Sequence, residues 1–156
     1  MRRLIAALTM AIGLTALGFA QTPGTTNMDI LRQKLKADKK LVIAENLKLT
    51  DAEGGKFWPV YDAYQKDLQG INQRLAAVIN AYADAYNKGP VSDATAKTLI
   101  EEAVAVDDAE AKLKSSLLPK ILAVLPAAKA ARYLQIENKI RALLRYELAA
   151  GIPLVE

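Results

Sequence analysis

Carboxylates are the main reactive groups in this chain, and their clusters lie in one stretch. Glu101-Glu102 and Asp107-Asp108-x-Glu110 offer paired acids of the type that share proton-transfer work. Neighbours on a helix point roughly 100° apart, however, so adjacent acids do not converge on one substrate atom. These clusters therefore read as a solvated helix face. Hard-ion binding by Asp107 and Asp108 would lack the spacing of a calcium loop. Ser92, Ser115 and Ser116 have neither a base nor a nucleophile elbow near them in sequence. The 156 residues contain no Cys and no His. That excludes disulfides, thiolate nucleophiles, imidazole or thiolate zinc sites and a Ser-His-Asp relay. The expectation is a protein without catalytic residues, metal or cofactor.

The other chemically informative group is aromatic. Phe57, Trp58 and Tyr61 fall within five residues beside Pro59. Three large rings that close together span more of a helix circumference than one seam covers. Aromatic residues at a kink usually plug the core; the alternative is that not all three can face inward and one or more line an exposed apolar site, and on that alternative Phe57, Trp58 and Tyr61 are taken as a client or partner surface. Lys34, Lys36, Lys39 and Lys40 would add salt-sensitive attraction for acidic clients.

The elements that carry these groups are helical. Arg2 and Arg3 precede an apolar run ending in Gly18-Phe19-Ala20, which reads as a secretory signal peptide over residues 1–20. The run is about 16 residues, short of the roughly 20 a membrane anchor needs, so no stable anchor is expected after cleavage. Without Arg2 and Arg3 the formal charge falls from +4 to +2. No basic run remains to suggest nucleic-acid binding. Residues 21–26 form a polar leader, 27–150 a helical domain and 151–156 an apolar tail.

Within the domain, Met28, Leu31, Leu35 and Val42 predict a basic helix over 28–46. Thr50 and Glu53 have the spacing of a capping box and start the next helix. Phe57, Tyr61, Tyr64, Leu68, Ile71, Leu75, Val78 and Tyr82 then alternate steps of four and three, a coiled-coil-like seam over 51–87. Gly54, Gly55 and Pro59 are expected to kink its first turns. Lys88-Gly89-Pro90 makes a short turn and Ser92 caps the third helix, so these two helices run antiparallel. Leu99, Ala103, Val106, Glu110, Leu113 and Leu117 form the third seam, and Pro119 should bend it. Leu125-Pro126 opens a fourth helix with a stripe of Tyr133, Ile136, Ile140, Leu143 and Leu144, ended by Gly151. The fold class is all-α: four helices in long antiparallel hairpins, bundle- or cradle-like.

Shifting the chain by 76 residues aligns Leu49 with Leu125, Phe57 with Tyr133, Val60 with Ile136, Tyr64 with Ile140 and Leu68 with Leu144. Two related helix-turn-helix units would produce this, as would any two amphipathic helices brought into phase. Leu49-Thr50-Asp51-Ala52-Glu53 resembles the LTxxQ motif of the periplasmic Spy/CpxP-like family, with Glu in place of Gln. Leu125-Pro126-Ala127-Ala128-Lys129, followed by Tyr133, resembles a worn second copy. The resemblance implies a small helical-hairpin protein of the Gram-negative periplasm, commonly a cradle-shaped homodimer, acting as an ATP-independent chaperone or a stress-response accessory. Its metal-responsive branch uses His-rich segments, which this chain lacks. Two readings result: a holdase-like chaperone for unfolded or envelope proteins, or a non-enzymatic adaptor for one envelope partner.

Overall fold

The structure, a computed structural model, describes residues 38–155. The expected signal peptide and leader, together with Lys34 and Lys36, lie outside the described residues. Among those described, 86% are helical, in four helices, with no strand. They fall into two units, residues 38–49 and 50–155.

The first unit holds α1, Lys39–Leu47. Asp38 has extended backbone, and its carboxylate accepts the Leu41 N–H at 3.1 Å. A helix continuous over 28–46 is therefore corrected: Asp38 is a cap, not a helix interior. Lys48, at φ 47°, ends α1 by donating its N–H to the Ala44 carbonyl.

The second unit contains α2 (Asp51–Lys88), α3 (Asp93–Leu122) and α4 (Ala127–Gly151). The box that starts α2 is complete: the Glu53 N–H donates to Thr50 Oγ1 at 3.3 Å, and the Thr50 N–H donates to Glu53 Oε2 at 2.8 Å. The 38 residues of α2 extend roughly 57 Å at 1.5 Å per residue. Pro59 does not interrupt it. Proline removes an N–H that would have met the Gly55 carbonyl. Gly55 and Pro59 are both exposed, so water can serve that carbonyl. Gly89, at φ 136°, makes the turn to α3 in a backbone region that favours glycine. Ser92 Oγ accepts the Thr95 N–H at 3.3 Å, and α3 runs on through Pro119.

Direction follows from cross-helix pairs. Arg74 meets Glu102 at 2.8 Å, which fits antiparallel α2 and α3. Lys114 reaches Asn138, Glu110 reaches Arg141 and Asp107 reaches Arg145, so α3 and α4 are also antiparallel. Parallel α2 and α4 are joined by Glu53–Lys129, Gln65–Glu137, Asn72–Arg141 and Tyr82 to the Pro153 carbonyl.

The core sits at one end of this unit. Phe57, Tyr61, Tyr64 and Leu68 of α2 are buried with Val106, Leu117 and Ile121 of α3, Leu125 of the connection, and Ala130, Tyr133 and Leu143 of α4. Beyond Leu68 no α2 residue is buried, and before Val106 no α3 residue is. Ile71, Leu75, Val78, Tyr82, Leu99 and Ala103 keep the seam spacing but remain half-buried. The predicted α4 stripe also needs correction. Only Tyr133 and Leu143 are buried, while Glu137 and Arg141 take inward positions and leave Ile136, Ile140 and Leu144 at the edges.

Candidate functional site

The aromatic expectation separates into parts. Phe57 is fully buried, with ring centroids 4.9 Å from Trp58, 5.9 Å from Tyr61 and 5.2 Å from Tyr133. Tyr61 is buried too, packed edge-on to Trp58 and Tyr133. An exposed surface made by all three rings is therefore corrected. Successive i and i+4 positions put Phe57 and Tyr61 on one face, and Tyr133 supplies the third wall. Trp58 is half-buried at the rim of this cluster, with its indole over Gly54; a Cβ there would lie 3.5 Å from the indole nitrogen. Lys40 is exposed and Lys39 half-buried, both on α1 in the other unit.

The acidic clusters do not form one solvated face. Glu110 is buried, and Arg141, also buried, grips it with two guanidinium nitrogens, Nε at 2.9 Å and Nη2. Arg141 Nη1 donates to Asn72 Oδ1 at 2.7 Å. Arg145 adds a contact to Glu110 at 3.1 Å and pairs with Asp107 at 2.6 Å. All three helices therefore meet in one network. Burial pushes the Glu110 carboxyl up, but hydrogen bonds from Arg141 and Arg145 outweigh it and hold the group below the ordinary carboxylate range. Hydrogen bonding to Asp107, working against burial, pushes the Arg145 guanidinium up. A carboxylate locked this way stays ionised and is neither a ready acid nor a ready base.

One layer nearer the aromatic cluster, Gln65 Nε2 donates to buried Glu137 Oε1 at 3.0 Å. Burial, then the Glu137 and Glu110 charges, push the Tyr64 phenol up to about 12 against the pull of Arg141. Burial first, then the Glu137 charge and the neighbouring Tyr64, raise the Tyr133 phenol against an opposing hydrogen-bond influence from Gln65. The Tyr133 hydroxyl is buried beside the Gln65 and Glu137 side chains, and no hydrogen bond to it has full geometry among the described residues.

Two apolar surfaces between helices are partly open among the described residues. A groove of about 250 Å³ lies between α2 and α3, with Pro59, Val60 and Ala63 on one wall, Leu113 and Leu117 on the other, and Asp67 and Lys120 at its edges. The second is the half-buried distal seam. Among the described residues no group of three or more acidic, Cys or His side chains is placed to hold a metal ion. No described helix is long and apolar enough to cross a membrane.

Sequence reasoning placed Glu110 in the α3 seam but missed its partners. The available signal was that acid in an apolar seam, matched by Tyr133, Glu137 and Arg141 at steps of four on α4. No protein-family model, curated protein or solved structure matches this chain.

Proposed function

We propose that this chain is a non-enzymatic, holdase-like helical protein that binds unfolded or envelope proteins through apolar surface left between its helices. The observation carrying this reading is the unfinished seam. Ile71, Leu75, Val78 and Tyr82 have core spacing, yet no facing element buries them fully. A row of apolar side chains left partly open along a helix is a feature of binding sites. Trp58 at the rim of the aromatic cluster and Lys39 and Lys40 of α1 are assigned supporting roles. The adaptor reading uses the same surface for a single partner.

Export to a Gram-negative envelope belongs to this proposal and is supported by Arg2-Arg3, the short apolar run and Gly18-Phe19-Ala20. Intact mass of the secreted form should begin at or near Gln21; retained Met1 would reject export.

The functional test is light scattering from an aggregating, chemically unfolded client with and without this protein. Wild type should suppress the signal at near-stoichiometric amounts. Val78→Asn and Trp58→Ala should suppress it less at unchanged helicity. A wild type that protects no client at any ratio rejects the holdase reading in favour of the adaptor.

A further inference from the structure

The segment that follows α4 is extended because Pro153 disfavours the helical region for the residue before it. Ile152 accordingly has φ −98° and ψ 117°, and its N–H makes the last bond of α4, to the Leu148 carbonyl at 3.0 Å. One residue on, the Pro153 carbonyl accepts the Tyr82 hydroxyl at 3.0 Å. Tyr82 is the last member of the 4-3 run on α2, the seam left half-buried at this end of the unit, and its ring lies 5.8 Å from that of Tyr86. Ile152 and Pro153 are half-buried, whereas Leu154 and Val155 are 87% and 55% exposed.

We infer that residues 152–154 occupy, within the chain, the place where an extended apolar segment of another protein binds, and that the Tyr82 hydroxyl is the donor that recognises its backbone. This site belongs to the client-binding reading of the distal seam, on which it rests, and its ligand is an extended stretch of branched apolar residues that tolerates proline. A helix engages its interior carbonyls internally and offers no such acceptor. An extended segment presents one at every residue. A side-chain hydroxyl that meets a main-chain carbonyl reads no side chain, so it suits a surface that takes many sequences. Proline fits there because it has no N–H to strand against an apolar seam.

The occupant is built to leave. Its bond to Tyr82 joins two neutral groups, and the two residues beyond it are open to solvent. Because α4 ends at Gly151, the segment can swing off the seam without unfolding that helix. Tethered beside the seam, it competes at a local concentration on the order of millimolar. It therefore shields the end of the seam in the unoccupied protein and gives way to a client that binds more tightly. Tyr82 serves both states, holding the Pro153 carbonyl in one and a client carbonyl in the other.

The test is fluorescence anisotropy of a labelled, end-capped peptide with the sequence of residues 150–155, titrated with the full chain and with a chain ending at Gly151, which keeps all of α4. The shortened chain should bind the peptide at least about tenfold more tightly, because its site is no longer occupied from within. Ile152→Asp in the full chain should have the same effect, and it preserves the comparison if shortening loosens the last turn of α4. Tyr82→Phe should weaken binding to the shortened chain about fivefold, the worth of one neutral hydrogen bond. In the full chain the same substitution should change binding much less, since the competing segment loses the same bond. Light scattering run in parallel should show the shortened chain protecting an unfolded client at a lower ratio than the full chain. Equal peptide binding by the full chain, the shortened chain and Ile152→Asp, or binding to the shortened chain that ignores Tyr82→Phe, overturns the inference even where the full chain protects clients. Peptide binding as described, with no client protected by either chain, keeps the site and removes the holdase reading.

Discussion

Lys129 donates to the Glu53 carboxylate at 2.6 Å, and these two residues occupy the same position in segments 76 residues apart. The same offset separates Phe57 from Tyr133, whose rings pack edge to face. At the first turns of α2 and α4, equivalent positions of the two segments thus meet each other, as in a parallel, in-register helix pair. Further along, Gln65 pairs with Glu137, an offset of 72, so the register slips by about one turn.

Glu53 belongs to two interactions at once, the Thr50 box and the Lys129 pair. Hydrogen bonds from Lys129 first and then from the Thr50 amide hold its carboxyl below the ordinary range. Thr50→Ala should cost about 1 kcal/mol through the lost cap acceptor. Glu53→Ala should cost more, and adding Lys129→Ala or Thr50→Ala to it should be less than additive. Urea melts of the single and double variants measure this; strict additivity would mean that the residues act separately.

The Glu110–Arg141 pair should behave as a buried ion pair. Removing one partner strands the other charge, so Glu110→Ala or Arg141→Ala should destabilise by roughly 3–5 kcal/mol. Replacing both with apolar residues of similar size, Glu110→Leu with Arg141→Met, should recover most of that loss. Chemical denaturation of the three variants decides it. A double variant as unstable as the singles would show that Asn72 and Arg145 depend on the pair.

Local signals were the legible ones. Thr50 with Glu53, Ser92 and Gly89 set helix ends through contacts within a few residues, and the 4-3 spacing of α2 needs no partner to be visible. Which ring of Phe57, Trp58 and Tyr61 turns inward depended on Tyr133, 76 residues away. The inward turn of Glu137 and Arg141 was not legible because their partners, Gln65, Asn72 and Glu110, lie on other helices. The continuity of α2 through Pro59 has a related reason: the proline's cost falls on an exposed carbonyl, and the packed Phe57–Tyr61 face holds the helix together past it.

Acid should weaken the fold through Glu110 and Glu53. Both carboxyls sit below their ordinary value of 4.5 when folded, so the unfolded chain binds protons first as pH falls. Their stabilisation is complete above about pH 4.5 and declines as pH drops toward the folded values. Thermal melts from pH 7 to pH 3 should show Tm falling in that window, and Glu110→Gln should flatten the decline. An unchanged slope in that variant would place the acid sensitivity elsewhere.

Phe57→Ala and Trp58→Ala should part company although the residues are adjacent. Phe57 is fully buried among three rings, so truncation opens a cavity and should cost about 3–5 kcal/mol. Trp58 lies at the rim and is partly open to solvent, so its truncation should cost clearly less, with helicity kept. Circular dichroism melts of both variants test the burial directly. Equal losses would mean that Trp58 is as much a core residue as Phe57.

The Tyr133 hydroxyl gives the sharpest stability prediction because its substitution changes one atom. The ring is fully buried and packed against Phe57 and Tyr61, while its oxygen lies beside Gln65 and Glu137 without a hydrogen bond of full geometry among the described residues. A buried hydroxyl without a well-formed hydrogen bond carries a desolvation cost of about 1–3 kcal/mol that poor geometry returns only in part. Tyr133→Phe keeps the ring, its edge contacts and the helix while removing that cost. The variant should be at least as stable as wild type, with a higher urea midpoint at an unchanged m-value. Tyr64, whose phenol is raised to about 12, would remain to destabilise the fold in alkali, since a raised phenol stabilises only while protonated and the benefit is lost as pH climbs from about 10 toward 12. A Tyr133→Phe variant that loses more than about 1 kcal/mol would show that the hydroxyl is bonded in solution, to water or to the neighbouring Gln65 and Glu137.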